Sequence, residues 1–182
     1  MKIRCVWEHN QNGSIVYSVD YIGAYTRGEN LDTALQKMPR EIASYSAWSD
    51  AAVETMDMQI VQEKISGLQI CDADSDSDVI FEEEMYQHTK NVNDYYFGEI
   101  GVNADNRGTI LECREKGFAL LEKTPDFLEN KVWLGSYEEE WSLRKVFRRF
   151  LWHDRIHGKA MYRMALKTFG EGSVPNIYKF QL

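Results

Sequence analysis

The sequence predicts an α+β fold in which a small N-terminal β-sheet with one helix is followed by a helical bundle. β-Branched and aromatic residues dominate the first 22 positions, whereas apolar residues recur at helical spacing from about residue 78 onward. Apolar residues make up 43% of the 182-residue chain, which is enough for a well-filled core. We therefore predict a small α/β region over residues 1–75 and a helical bundle over residues 76–182.

The N-terminal region contains three predicted strands and one predicted helix. The segments IRCVW (3–7) and IVYSVDYI (15–22) have strand composition, and the turn-forming HNQNG lies between them. Apolar residues at helical spacing predict a helix over 31–49, with Asn30 as its N-terminal cap. The alternation of apolar and polar residues over 58–65 predicts a further strand.

The second region contains three predicted helices. The first runs from about residue 78 to residue 98. The second begins at Thr109, because Thr109 and Glu112 fit a capping box, and it stops before Pro125. Ser142 is expected to cap the third helix, which carries an apolar stripe along its length.

Three of the four histidines lie on the apolar stripes of two of these helices. His153 and His157 are four residues apart on the last helix, and His88 belongs to the stripe of the 78–98 helix. Apolar stripes face the interior of a bundle, so we expect all three imidazoles to point inward. Three neutral imidazoles suit zinc, nickel or another borderline divalent metal. The alternative is that each is a hydrogen-bonded core histidine.

Two carboxylates near these histidines are candidates for acid–base chemistry. Glu84 precedes His88 by about one helical turn. Asp154 follows His153 at the position that glutamate has in the zincin motif. Each carboxylate also has an ordinary interpretation, Glu84 as a solvated side chain and Asp154 as the ion-pair partner of a basic neighbour. No pattern typical of a nucleotide phosphate loop or of a serine nucleophile elbow occurs.

The acidic run CDADSDSDVIFEEE (71–84) permits two interpretations. Alternate aspartates match several positions of a calcium-loop template. Ser77 stands where the sharp turn of that loop needs glycine, and a strand-like segment precedes the run. Alternating Asp and Ser are also typical of a connection that caps a helix, which is the interpretation we favour.

Charge is unevenly distributed along a chain whose net charge is −8. Residues 72–100 hold nine acidic residues and one basic residue, whereas residues 141–168 hold eight basic residues and one acidic residue. Either these segments complement each other or the basic segment contacts nucleic acid. Because the chain is acidic overall, we expect these side chains mainly to face solvent or each other, and nucleic-acid binding is not favoured.

The cysteines and the apolar segments indicate the cellular compartment of the protein. Cys5, Cys71 and Cys113 are odd in number and far apart, which is typical of reduced thiols in a cytoplasmic protein. The first residues lack the apolar segment of a signal peptide, and no apolar run has the roughly 20 residues that span a bilayer. We therefore expect a cytoplasmic protein without a membrane partner.

Two stretches resemble the DinB/YfiT-like superfamily of metal-binding four-helix bundles. They are EEEMYQHTKNVNDYYF (82–97) and EEWSLRKVFRRFLWHDRIHGKAMYR (139–163), within a resemblance that covers about residues 76–168. The resemblance implies His88, His153 and His157 as ligands of a divalent metal, most often nickel or zinc. It also implies a metal-dependent hydrolase or a thiol-dependent transferase. Its partners would then be a small-molecule substrate and a low-molecular-weight thiol, and such a bundle is compatible with a homodimer.

A second stretch, IVYSVDYIGAYTRGENLDTALQKMPREIASY (15–45), resembles the small β-β-β-α domain of HicB-type antitoxins. Two arrangements follow, because residues 78–168 supply only three clear helices. Either a HicB-like module precedes the bundle, or the helix over 31–49 is itself the first bundle helix. The second functional hypothesis is accordingly a non-catalytic binding or regulatory module that contacts a protein or nucleic acid through this region.

Overall fold

The fold is mixed α+β, with a four-stranded N-terminal sheet followed by helices, which confirms the predicted class. The computed structural model describes residues 1–49, 56–65, 82–129 and 131–181, with only the backbone at 82–84. No helix in these ranges has the length and apolar character needed to cross a membrane.

Contacts within the chain group it into two compact units. We call Met1–Asp78 with Gly158–Leu182 the sheet unit, and Val79–His157 the helical unit. The division at residue 75, made from the sequence, stays a prediction.

The sheet of the first unit has the order β3-β2-β1-β4, in which β1 pairs antiparallel with β2 and parallel with β4. The strands are β1 (Lys2–Asn10), β2 (Gly13–Ser18), β3 (Tyr25–Gly28) and β4 (Asp57–Ile65). The prediction that β2 runs to residue 22 is wrong. Ser18 N donates to Ala24 O across a loop, and Asp20 in that loop accepts hydrogen bonds from Arg4. The short strand β3 was not predicted.

Helix α1 (Leu31–Trp48) packs on this sheet. Its predicted cap is confirmed, because Thr33 N donates to Asn30 Oδ1 at 3.0 Å. Its buried residues share one core with the strands, and the core includes Ile3, Cys5, Val16, Ala34, Met38 and Ile42. Whether α1 also acts as the first helix of a bundle stays a prediction.

The helical unit contains α2 (Glu82–Gly98), α3 (Ile110–Leu121) and the first part of α4 (Leu143–Phe169). The predicted capping box is confirmed by reciprocal bonds between Thr109 and Glu112. Ser142 caps α4 as predicted, since its Oγ accepts from Lys145 N at 3.3 Å.

Between α3 and α4 lies a hairpin that the sequence did not predict. Its strands are β5 (Trp133–Leu134) and β6 (Glu140–Trp141), joined through a short 3₁₀ turn at Ser136–Glu138. Tyr137 and Glu138 in this turn have positive φ angles of 59° and 58°. Two-residue strands carry too little alternation to be recognised from a sequence.

Aromatic packing fixes the helices of this unit against one another. The core includes Tyr96, Phe97, Trp141, Val146 and Phe150. Gly117 on α3 faces the Phe97 ring of α2 so closely that any side chain at position 117 would collide with it. The close approach of α2 and α3 therefore depends on a glycine at this position.

The expected exposure of the basic residues is wrong for two of them. Arg149 and Arg155 are only 6% and 2% exposed. Arg149 pairs with Glu139 at 3.5 Å, and Lys145 reaches the same carboxylate at 3.1 Å. The buried face of α4 is thus wider than its apolar stripe, and the ion pair with Glu139 allows Arg149 to be included in it.

Candidate metal centre

The structure brings together the three histidines that the sequence singled out. His88 lies on α2, and His153 and His157 lie one turn apart on α4, all within the helical unit. His153 Nε2 is 3.1 Å from His88 Nε2 and 3.2 Å from His157 Nε2. The ligand atoms of all three lie within 4.8 Å of one another, so they are close enough to bind one metal ion.

Hydrogen bonding among the rings does not account for this convergence. His153 Nε2 is in contact with two other Nε2 atoms, yet a neutral imidazole nitrogen carries either one proton or one lone pair. It can therefore serve only one of the two contacts, and the other pair of nitrogens would repel. A cation at the centre removes this conflict, because all three lone pairs would then point at the same positive charge.

The distances also match the requirements of a tetrahedral metal. Zinc–imidazole bonds of about 2.0–2.1 Å at tetrahedral angles separate the ligand nitrogens by about 3.4 Å. The distances from His153 Nε2 to the other two Nε2 atoms are shorter than this by only a few tenths of an ångström. Both pairs that include His153 are therefore near the spacing that zinc requires, and all three ligand atoms lie within 4.8 Å of one another.

Burial differs among the three rings. His153 is 4% exposed, His157 is half-buried and His88 is exposed. His88 directs its Nε2 toward His153, but the residue is more exposed than an inward-pointing position on the apolar stripe predicts. The buried face of α2 is centred on Met85, Thr89 and Val92, and His88 lies at its edge. The cluster thus has one buried side and one side open to solvent.

Burial keeps the central imidazole neutral. It lowers the pKa of His153 to about 3, and the neighbouring His157, His88 and then Arg114 act in the same direction. Neutral imidazole is the form that binds a metal. His153 Nδ1 is buried and has no hydrogen-bond partner among the described residues. None of their carboxylates or carbonyls therefore orients this ring by accepting a hydrogen bond from Nδ1.

Asp154 is held by Arg114 through two hydrogen bonds of 3.2 Å. Arg114 Nε also donates to Asn93 Oδ1 at 2.7 Å, and the guanidinium lies 3.6 Å from the centre of the Phe150 ring. Burial raises the pKa of Asp154, and the charge of Arg114 only partly offsets this effect. Asp154 therefore connects α4 to α3 and α2, and both of its oxygens are engaged by the same arginine.

Other sequence-based candidates lie outside what the structure describes. These are the side chain of Glu84 and most of the calcium-loop template at 71–84. Sequence reasoning missed Arg114 as a partner of Asp154. It also missed Glu99, although a carboxylate at the C-terminal end of a helix is electrostatically unfavourable and is therefore a signal worth examining.

Comparisons of this chain with protein-family models, with curated proteins and with solved structures find no match. The DinB/YfiT-like and HicB-like resemblances therefore stay predictions that depend on the stretches quoted above.

Proposed function

We propose that this chain is a divalent-metal-binding protein of the DinB/YfiT-like type, in which His88, His153 and His157 together hold one zinc or nickel ion. The observation that carries the proposal is the convergence of three Nε2 atoms on one point, with His153 Nε2 in contact with both others. Borderline divalent metals are the cations that imidazole nitrogens prefer.

The reaction class that fits this site is hydrolysis, or transfer of a group to a low-molecular-weight thiol. A divalent ion with only three protein ligands supplies Lewis acidity toward a water or a thiol. The exposed ring of His88 leaves one side of the cluster accessible to a small molecule. The protein's contribution is positional, since burial fixes His153 and the ion pair with Arg114 anchors the same turn of α4.

Metal content tests the proposal. Protein purified without a nickel column and then incubated with zinc should bind one ion per chain, as measured by elemental analysis after desalting. His88→Ala, His153→Ala and His157→Ala should each lower the affinity by about 100-fold or more, because two imidazoles hold a divalent ion poorly.

The matched control is His9→Ala, which removes a histidine that lies in β1 of the sheet unit. It should leave the zinc content unchanged. Equal zinc content in all four variants would refute the metal site.

The second candidate is a non-catalytic module that uses the N-terminal region. The observation in its favour is the order β1-β2-β3-α1, which is that of a β-β-β-α domain; the stretch that resembles HicB-type antitoxins, 15–45, covers β2, β3 and most of α1. Under this hypothesis the protein would bind DNA or RNA at low salt, and the affinity would fall steeply as salt rises. A fluorescence-anisotropy titration of labelled DNA or RNA with the protein, at two salt concentrations, tests this hypothesis. Absence of binding at low salt would exclude a module that contacts nucleic acid.

A further inference from the structure

A second site is indicated at the C-terminal end of α2, inside the helical unit and separate from the three histidines. An open groove of about 480 Å³ lies between this end of the helix and the hairpin. Its lining includes Asp94, Tyr95, Glu99, Trp133, Gly135 and Ser136. The volume is within the range that small-molecule sites occupy.

Glu99 is the unusual residue of this groove. It is 7% exposed, and the single hydrogen bond between its carboxylate and a described residue is from Ser136 N to Oε2 at 2.6 Å. No lysine, arginine or histidine among the described residues lies within ion-pair distance of it. A buried carboxylate without a cation is costly, and its position after the last turn of α2, at the negative end of the helix dipole, adds to that cost.

The hairpin holds this carboxylate in place. A side chain at position 135 would overlap Glu99 Oε2 and would press on Trp141, so only glycine allows the hairpin backbone to approach this closely. The bond from Ser136 N uses one carboxylate oxygen and leaves the other available to a ligand in the groove. An arrangement that is costly and yet tightly positioned is typical of a binding site.

The remaining lining determines which ligand would fit. Asp94 adds a second carboxylate, and the lining contains no basic residue. Tyr95 and Trp133 add aromatic rings, whose faces attract cations. Trp133 already attracts one ammonium group, because Lys131 Nζ lies 5.1 Å from its ring centre. Carboxylates combined with aromatic rings are the combination that recognises organic ammonium groups.

We propose that this groove binds an organic ammonium cation, with Glu99 as its counter-ion and Tyr95 and Trp133 as its aromatic walls. His88, Tyr95 and Glu99 are spaced 7 and 4 residues apart, which places them on one face of the helix. The groove lies about 10–16 Å along α2 from His88. If the proposed function is correct, on which this last step depends, the groove selects substrates whose ammonium group lies at that distance from the metal.

The test is an NMR titration of the full chain with choline and, in parallel, with 3,3-dimethylbutan-1-ol, its neutral isostere. Choline should bind saturably and the alcohol at least about tenfold more weakly. Glu99→Gln should weaken choline binding by about tenfold or more, because glutamine keeps the bond from Ser136 N and removes only the charge. The matched control is Glu115→Gln, an exposed glutamate on α3, which should bind choline as the wild type does.

Repeating the titration with EDTA-treated protein and with His153→Ala separates this proposal from the metal site. Choline binding that persists in both supports the groove whether or not zinc binds. Absence of saturable choline binding, equal affinity for the neutral alcohol, or wild-type affinity in Glu99→Gln would overturn the groove proposal. None of these results would bear on the zinc content.

Discussion

His9 in the sheet unit and His153 in the helical unit show two different ways to accommodate a histidine. His9 stacks on Trp7 with ring centres 4.0 Å apart, and its Nε2 lies 2.8 Å from Glu63 Oε1. His153 is almost fully buried, and the partners of its Nε2 are two further imidazoles. The Nε2 of His9 thus faces a carboxylate, whereas the Nε2 of His153 faces only other imidazoles.

The difference identifies the kind of partner that each environment requires. A histidine beside a carboxylate is satisfied whether or not it carries a proton. Three bases that converge without an acid are satisfied together only by an added cation. Glu99 is the converse case, because it is an acid without a base at the other end of the same helix face. The three histidines and Glu99 thus differ in the groups that a cation would complement, three bases that share it in one case and a single carboxylate beside it in the other.

Added zinc should stabilise the protein through His153 and not through His9. At a free zinc concentration a thousand times Kd, the free energy of unfolding of the wild type should rise by about 4 kcal/mol. His9→Ala should show the same rise, and His153→Ala should show almost none. Urea denaturation with and without zinc measures this, and an equal rise in both variants would contradict the assignment.

The ion pair between Arg114 and Asp154 should contribute to the free energy of unfolding but not to zinc affinity. Arg114→Met leaves Asp154 without its partner and should destabilise the protein by about 2–3 kcal/mol, less than a fully buried pair would, because Asp154 is 30% exposed. Asp154→Asn should cost only about 1 kcal/mol, because asparagine still offers Arg114 an acceptor and the guanidinium keeps its contacts with Asn93 and the Phe150 ring.

Thermal or urea unfolding of these two variants provides the values, and both should keep one zinc per chain. If Asp154→Asn costs more stability than Arg114→Met, the description of this pair is wrong. Loss of zinc in Asp154→Asn, with stability kept, would instead place Asp154 in the metal site.

The metal-free protein should lose stability as the pH falls. The pKa of His153 is about 3 in the folded chain and about 6.5 when unfolded, so between these values the unfolded state binds more protons. The loss from His153 between pH 8 and pH 5 should be about 2 kcal/mol. His153→Gln should remove this part of the slope and His9→Gln should keep it; equal slopes in wild type and His153→Gln would show that His153 does not cause it.

The smallest effect is expected in the sheet unit. Glu63 is 57% exposed, so the contact between His9 and Glu63 should contribute less than about 1 kcal/mol. Glu63→Gln should therefore change the midpoint of urea denaturation only slightly at low salt and still less at high salt. A loss above 2 kcal/mol would mean that this pair is not an ordinary surface contact.

Local signals in the sequence were sufficient for much of the fold. The side-chain cap at Asn30, the capping box at Thr109 and the cap at Ser142 each depend on residues within four positions of one another, and all three are present. The pairing of His153 with His157 was predicted for the same reason, since their i, i+4 spacing is fixed by the helix itself, whereas His88 was included from the apolar stripe of another helix and from the DinB/YfiT-like resemblance.

Features that depend on distant residues were missed. The short strand β3 is defined by its pairing with β2, and the hairpin at residues 133–141 consists of strands of only two residues. Arg114 and Asp154 are 40 positions apart, and no local pattern connects them. The exposure of His88 was also missed, because a helical stripe shows which residues share a face and not where the neighbouring helix ends.

The α+β class, the helix caps and the placement of His153 and His157 on one helix face could be predicted from the sequence, because each of these depends on spacing along one helix or strand. The packing of distant segments brings the ligand atoms of the three histidines within 4.8 Å of one another, leaves the His88 ring exposed and buries Glu99 beside a hairpin glycine. The physical reason is that burial and electrostatic compensation depend on which elements pack together, and packing joins residues whose separation along the chain carries no signal.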